Sequence, residues 1–149
     1  MGVEIERKFL VNKEKWSKIN KPKSLTIKQG YLHNSIEKCV RVRTKGEKGF
    51  LTIKGENSGI KRTEFEYEIP YSEAEEMLNQ FCDKFIHKKR YEIQFNDKIW
   101  EVDEFLSPNP DLILAEIELK SENQAFDLPE WVEQEVSDDP KYYNANMLK

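Results

Sequence analysis

Residues 1–10, MGVEIERKFL, decide how the rest of the chain is read. In an extended strand successive side chains point to opposite faces. Glu4, Glu6 and Lys8 therefore share one face, while Ile5, Arg7 and Phe9 take the other. A face of two carboxylates and an ammonium is not an apolar core, because an unpaired charge is too costly to bury and neutralises instead. It faces open solvent, or it belongs to a site built for something charged.

The same alternation recurs along the chain. Residues 24–32 read as a second strand, and residues 37–44 as a third, with Arg41 and Arg43 on one face and Val40 and Val42 on the other. A KGEKG turn leads to a fourth strand over 50–54, with Thr52 and Lys54 in phase. After a turn over 55–59, residues 60–69 place Arg62, Glu64, Glu66 and Glu68 together, opposite Phe65, Tyr67 and Ile69. Pro70 ends that strand, and a Ser72–Glu75 capping box opens a helix to about Phe85. Residues 86–95 carry Lys88 and Arg90, Asn96-Asp97 makes a tight turn, and residues 98–105 carry Glu101 and Asp103. Residues 112–120 alternate Glu116, Glu118 and Lys120 with Ala115, Ile117 and Leu119. A shorter helix is expected after Asn12, a second capping box at Ser121 and Gln124 opens a short turn or helix, and the tail from Trp131 reads as loop and helix.

At 149 residues the chain reads as one domain over 1–149, large enough for a real core. A net charge of −4 argues against a polyelectrolyte partner such as a nucleic-acid duplex, so any basic site is local. Two cysteines without metal spacing, no apolar leader and no stretch of transmembrane length point to a cytoplasmic protein free of the membrane. The oligomeric state, monomer or homodimer, is left open.

An open sheet with a wet charged face reads the same way locally. Against it stand the strand-specific sign of the charges and the use of arginine, which suits forked contacts to phosphate or carboxylate. Acids fall on the first, fifth, seventh and eighth strands, bases on the third, fourth and sixth. Eight strands closed into a barrel would hold these charges around one small ligand. The expected fold class is thus α+β: an eight-stranded antiparallel closed β-barrel with a few helices packed outside. Glu4, Glu6, Glu116 and Glu118, with Asp103, offer oxygen ligands for Mg²⁺ or Mn²⁺. Lys8, Arg41, Arg43, Lys54, Lys88 and Arg90 offer cations for several phosphate oxygens. Carboxylate-held metal beside clustered Arg and Lys is what phosphoryl transfer needs. Neither a glycine cradle for phosphate nor a nucleophile motif near His33 or His87 is present.

Taken together, Glu4-x-Glu6-x-Lys8, Gln29–Tyr31, Arg41-x-Arg43, Thr52–Lys54, Glu64-x-Glu66, Lys88-x-Arg90, WEVD ending at Asp103, AEIEL around Glu116 and Glu118, and the later Glu135-Val136 and Tyr142–Asn144 resemble the CYTH superfamily of triphosphate tunnel metalloenzymes. The resemblance implies a divalent-metal-dependent triphosphatase acting on a small-molecule triphosphate, with inorganic triphosphate favoured. Lys8, Glu66 and Asp103 are then the expected catalytic residues, with Glu64 and Tyr31 as further candidates. Two rivals remain: an adenylyl cyclase of the same type, and a non-catalytic polyphosphate or nucleotide binder. Lys120, directly after AEIEL, departs from the pattern and adds a cation near the tunnel.

Overall fold

The computed structural model describes residues 2–149. β1 (Val3–Val11) carries the opening alternation through as one strand. Asn12 ends it and caps α1 (Lys13–Ser17), its side-chain oxygen accepting the Lys15 amide at 2.9 Å. β2 (Leu25–Asn34), β3 (Lys38–Lys45), β4 (Lys48–Ser58) and β5 (Lys61–Ile69) follow as antiparallel neighbours. β4 runs through the stretch that reads as a turn over 55–59. A register shift between Lys54 and Asn57 absorbs the extra length, and the chain reverses at Gly59, whose φ of +63° suits glycine.

α2 (Tyr71–Phe81) is shorter than expected, because Cys82 is already extended. The Ser72–Glu75 box is not made. Pro70 occupies the cap position with no side-chain bond, which puts Ser72 inside the first turn where it cannot cap. β6 (Ile86–Phe95) and β7 (Lys98–Ser107) form a hairpin over Asn96 and Asp97, both at positive φ as this tight turn demands. β8 (Ile113–Glu118) follows a proline-containing loop. Ser121 and Gln124 form a turn, closed by the Lys120 amide donating to Gln124 Oε1 at 2.6 Å. The tail differs from the loop and helix expected. It contains a ninth strand, β9 (Val132–Glu135), then two short 3-10 turns, Pro140–Tyr142 and Asn144–Asn146.

The strand order β5-β4-β3-β2-β6-β7-β8-β1 closes on itself through β1–β5, which gives the eight-stranded barrel. Closure removes the free edges an open sheet would expose. One edge of β1 pairs with β8 over Glu6–Leu10. The other is shared: Val3, Glu4 and Ile5 face β5, whereas Phe9 and Val11 face β9. The ninth strand exists because β5 leaves half of that edge unpaired.

Apolar side chains pack mainly outside the barrel. Phe9, Trp100, Val102, Ala115 and Ile117 form one outer cluster under Trp16 of α1 and Trp131, which directly precedes β9. Edge-to-face pairs tie Trp100 and Trp16 to Trp131, each adding about 1 kcal/mol beyond simple burial. On the opposite wall Ala74 and Leu78 of α2 lie on Val42. Gly30 and Gly49 permit this approach: a Cβ at Gly30 would meet Cys82 Sγ at 2.7 Å, and one at Gly49 would meet Ala74 at 2.7 Å. Inside, a third cluster of Ile86, Phe105, Leu114 and Val136, with Tyr142, Met147 and Leu148 packed on it, fills one end of the barrel. The remaining interior is polar. Among the described residues no helix is long and apolar enough to cross a membrane.

Candidate active site

The polar interior is a cavity of about 790 Å³ lined by residues from the strands and from the C-terminal segment. The strand order sorts its charges. Lys54, Arg41, Arg43, Lys88 and Arg90 stand on β4, β3 and β6, with only β2 between β3 and β6. Glu101, Glu116, Glu118, Glu4, Glu6, Glu64 and Glu66 stand on the consecutive strands β7, β8, β1 and β5. The sorting has exceptions: Lys8 on β1 and Arg62 on β5 are cations set among the acids, and Glu56 on β4 is an acid set among the bases. The cavity thus has a basic half and an acidic half.

In the basic half two arrangements differ. Arg90 and Asp103 face each other across β6 and β7 and form a two-pronged pair, Nε to Oδ1 at 2.8 Å and Nη2 to Oδ2 at 2.9 Å. Lys88 Nζ reaches Asp103 Oδ2 at 2.8 Å. Burial opposes ionisation of Asp103, but Arg90 and Lys88 outweigh it and hold the carboxyl at about 2. Burial pushes the Lys88 ammonium down to about 8, Asp103 pulling against it and Arg90 adding to it. Arg41 and Arg43, by contrast, share one carboxylate oxygen, Glu66 Oε2, at 3.2 and 3.5 Å, and Thr52 Oγ1 donates to that oxygen at 2.8 Å. Burial together with Arg41 and Arg90 pushes the Arg43 guanidinium down to about 9.

In the acidic half carboxylates meet carboxylates. Glu6 and Glu116 are close enough for a proton on Glu6 to be held by Glu116. Burial, Glu116 and Glu4 push Glu6 well above the usual carboxyl range. Glu116 stays well below it: burial opposes this, but Lys8, the bond from Glu6, and Arg90 prevail. Glu64 is raised by burial and by Glu4, to which it is also bonded. Glu118 is raised by burial, Glu4 and Glu64. Lys54 lies between Glu4 at 3.2 Å and Glu64 at 3.4 Å. Burial and Arg41 work against its charge, but Glu4, Glu6 and Glu64 hold it above its ordinary value.

These acids fit a hard divalent cation by chemistry, being clustered oxygen donors of which Glu6, Glu64 and Glu118 are raised by burial and by neighbouring carboxylates. Among the described residues no three His, Cys, Asp or Glu side chains converge into a closed ligand cluster.

The expected residues fall out as follows. Glu4, Glu6, Lys8, Tyr31, Arg41, Arg43, Lys54, Glu64, Glu66, Lys88, Arg90, Glu116 and Glu118 all line the cavity. Asp103 does not. At 1% exposure, with both oxygens engaged by Arg90 and Lys88, it lies behind the lining and acts on the site through them. Lys120 is exposed and away from the cavity. Cys39 is buried at its rim, its sulfur 3.6 Å from Arg62 Nη2. Trp100 packs outside, as its phase requires.

Three groups join the site to which the sequence reading gave no role. Glu101 holds Arg90 Nη1 at 3.3 Å. The C-terminal segment presents the Tyr142 carbonyl to Lys8 Nζ at 2.9 Å and Asn144 Oδ1 to Lys88 Nζ at 2.8 Å. Gln29, fully buried, bonds Tyr31 and Asn144. It belongs to the Gln29–Tyr31 motif, and standing two residues from Tyr31 on β2 it is in phase with it, which is the signal for its role.

The barrel agrees with what the chain is similar to. An inorganic triphosphatase of Acetivibrio thermocellus is 47% identical over 150 residues, covering 100% of this chain and 95% of that protein. An inorganic triphosphatase of Nitrosomonas europaea is 35% identical over 147 residues, covering 95% and 93%. A solved structure described as an inorganic triphosphatase superposes with a TM-score of 0.64 at 32% identity, covering 100% of this chain and 97% of that one. The model of the CYTH domain matches residues 2–143. The chain belongs to the CYTH domain family.

Proposed function

We propose that the protein hydrolyses inorganic triphosphate to pyrophosphate and phosphate with the help of Mg²⁺ or Mn²⁺. The observation that carries this reading is the division of one cavity into a basic and an acidic half by strand order. The similarity to two inorganic triphosphatases supports the choice of substrate. Lys8, Arg41, Arg43, Lys54, Lys88 and Arg90 bind the phosphate chain and neutralise the charge that develops as the terminal bridge breaks. Arg41 and Arg43, with one shared carboxylate between them, have the most donor capacity left for an anion. Glu6 and Glu116, with Glu4 and Glu118 beside them, would hold the cation. When bound, it supplies charge neutralisation of phosphate oxygens and a lowered pKa for water. Lys8, bonded to the Tyr142 carbonyl and set among the acids, contacts the phosphate nearest them. Asp103 keeps Lys88 and Arg90 charged and aimed.

The test is a phosphate-release screen over inorganic triphosphate, ATP, thiamine triphosphate and pyrophosphate, each with Mg²⁺, with Mn²⁺ and with excess EDTA. The expected result is release from inorganic triphosphate that EDTA abolishes, with pyrophosphate a poor substrate because it spans fewer of the six cations. Cyclic AMP with pyrophosphate from ATP would mark a cyclase instead. Tight triphosphate binding without release would mark a binder.

A further inference from the structure

One mouth of the cavity holds an arginine that stands outside the six cations assigned to the phosphate chain. β2 to β5 form an antiparallel meander, so its first and third turns, β2–β3 and β4–β5, lie at the same end of the barrel. Ile36 of the first turn, and Glu56 and Asn57 near the second, are exposed and yet line the cavity, which makes this end an open mouth. Arg62 of β5 stands opposite Asn57 and lines the same mouth, half-buried. Its guanidinium is set by the backbone and not by an acid. Nε donates to the Gly55 carbonyl at 2.6 Å, where the register of β4 shifts, and Nη2 lies 3.6 Å from Cys39 Sγ. Nη1 is neither buried nor bonded within the protein. Arg41 and Arg43 are held by Glu66, and Arg90 by Asp103 and Glu101, but Arg62 forms no ion pair among the described residues. Glu4, opposite it on β1, is turned to Lys54 at 3.2 Å.

A guanidinium without a counter-ion, anchored at an open mouth, is a forked donor for anionic oxygens arriving from solvent. The walls farther in are charged, so an organic group joined to a triphosphate finds no apolar surface there and has to stay at the mouth. The phosphate that carries it is then the one beside Arg62. In inorganic triphosphate the same place is taken by a free phosphoryl end, which has more unbridged oxygens and more charge than an esterified phosphate. We infer that Arg62 binds this outer phosphate and thereby selects triphosphates with two free ends over those esterified at one. This rests on the triphosphate reading above. The phosphate attacked lies farther in, beside Glu6 and Glu116, and the part held by Arg62 leaves as pyrophosphate. Its contact is therefore the same before and during bond breaking, and it acts on affinity more than on the chemical step.

The experiment measures kcat and KM for inorganic triphosphate with Mg²⁺ in the unaltered chain and in Arg62→Gln, Arg62→Lys and Asn57→Glu, with the melting temperature of each. ATP is measured beside it, both as a substrate and as a competitor of triphosphate release, so that its affinity is read whether or not it is hydrolysed. Arg62→Gln should raise KM for inorganic triphosphate about tenfold and leave kcat within about threefold, while the affinity for ATP stays within about twofold. Arg62→Lys keeps the charge but not the fork and should recover part of that loss. Asn57→Glu sets an acid opposite Arg62 at an exposed position and should raise KM in the same direction by a few-fold. This variant reports even if a change at Arg62 unfolds the protein. An unchanged KM in Arg62→Gln overturns the inference, as does an equal loss of affinity for triphosphate and ATP, which would make Arg62 a general phosphate contact. A loss confined to kcat, or one that follows the melting temperature and is not relieved by Arg62→Lys, also overturns it. If the unaltered protein releases no phosphate from inorganic triphosphate, the functional reading falls and takes this with it. If it does and the variants match it, only the role of Arg62 falls.

Discussion

Two groups of cations grip the same cavity in different ways. Lys88 and Arg90 on β6 have a counter-ion of their own, Asp103, which is 1% exposed and bonded to both. Arg41 and Arg43 on β3 have one oxygen of Glu66 between them, on a side chain 33% exposed. The first group is neutralised from behind, in a dry wall, and its geometry is complete without a ligand. The second is under-neutralised from the side and gains most from an arriving anion. The difference separates charges that hold the wall together from charges whose partner is the substrate. A buried pair is costly to break because it leaves a stranded charge, whereas a partly exposed pair contributes little.

The sharpest way to break this comparison is to delete the two counter-ions. Asp103→Ala leaves Lys88 and Arg90 buried, with only the more distant Glu101 and Glu116 near Arg90. The expected loss is about 3–5 kcal/mol of unfolding free energy. Glu66→Ala, with its exposed carboxylate, should cost no more than about 1 kcal/mol. Urea unfolding of both measures the gap, and equal losses erase the distinction. The pH dependence should follow the same residue. The folded-state pKa of Asp103 is depressed below its ordinary 3.8 to about 2. Its contribution is therefore present above about pH 4 and lost as pH falls through about 2. Asp103→Ala should flatten the stability curve in that window, and Glu66→Ala, being half in solvent, should flatten it far less.

The next effect concerns function. Arg43→Ala should cut kcat/KM for triphosphate by about ten- to a hundredfold, the value of one charge-assisted bond of about 1.5–3 kcal/mol. Stability should hardly change, since Arg43 is only weakly paired at 3.5 Å. If Arg43→Ala instead destabilises the fold as much as Asp103→Ala, the β3 cations are structural and the comparison fails.

Much of this was legible in residue order, and the reasons differ by region. Charges recurring at every second residue gave β1, β3 and β6 their inner faces, with Arg7 and Lys89 as charges out of phase, because a period of two leaves only one phase facing inward. The sign of each strand was legible as well. The grouping of those signs into halves was not. It depends on β2 pairing with β6 and β1 with β5, contacts between distant segments that no local pattern encodes. Asp103 stands in phase with Glu101 and so reads as a metal ligand. Only the register, which sets it opposite Arg90, shows that its oxygens are already taken. β9 is four residues, VEQE, with no apolar alternation, and it forms because β1 offers an edge. Gln29 and Asn144 fall in two of the motifs that carry the family resemblance, but they have no charge, and a pattern of charges gives them no role.

The smallest expected effects test the phase on which everything else stands. Lys89 lies between Lys88 and Arg90 and is exposed, and Arg7 adjoins Lys8. Arg7 points outward, its guanidinium 3.6 Å from Glu135 Oε1 and over the ring of Phe126. Both are cations one residue from a cavity cation, so they match their neighbours in charge and in sequence position and differ in direction alone. Substitutions at exposed positions usually change stability by less than about 0.5 kcal/mol, and a loss of that size corresponds to about twofold in rate. Lys89→Ala and Arg7→Ala should therefore keep kcat/KM within about twofold of the unaltered protein. Lys88→Ala and Lys8→Ala, each removing a donor from a partly desolvated site, should lose about ten- to a hundredfold. Measured under one condition, the four variants should give a saw-tooth with the period of a strand. A flat profile would mean that net positive charge, and not a directed inner wall, governs the reaction, and the division of the cavity into halves would then explain nothing.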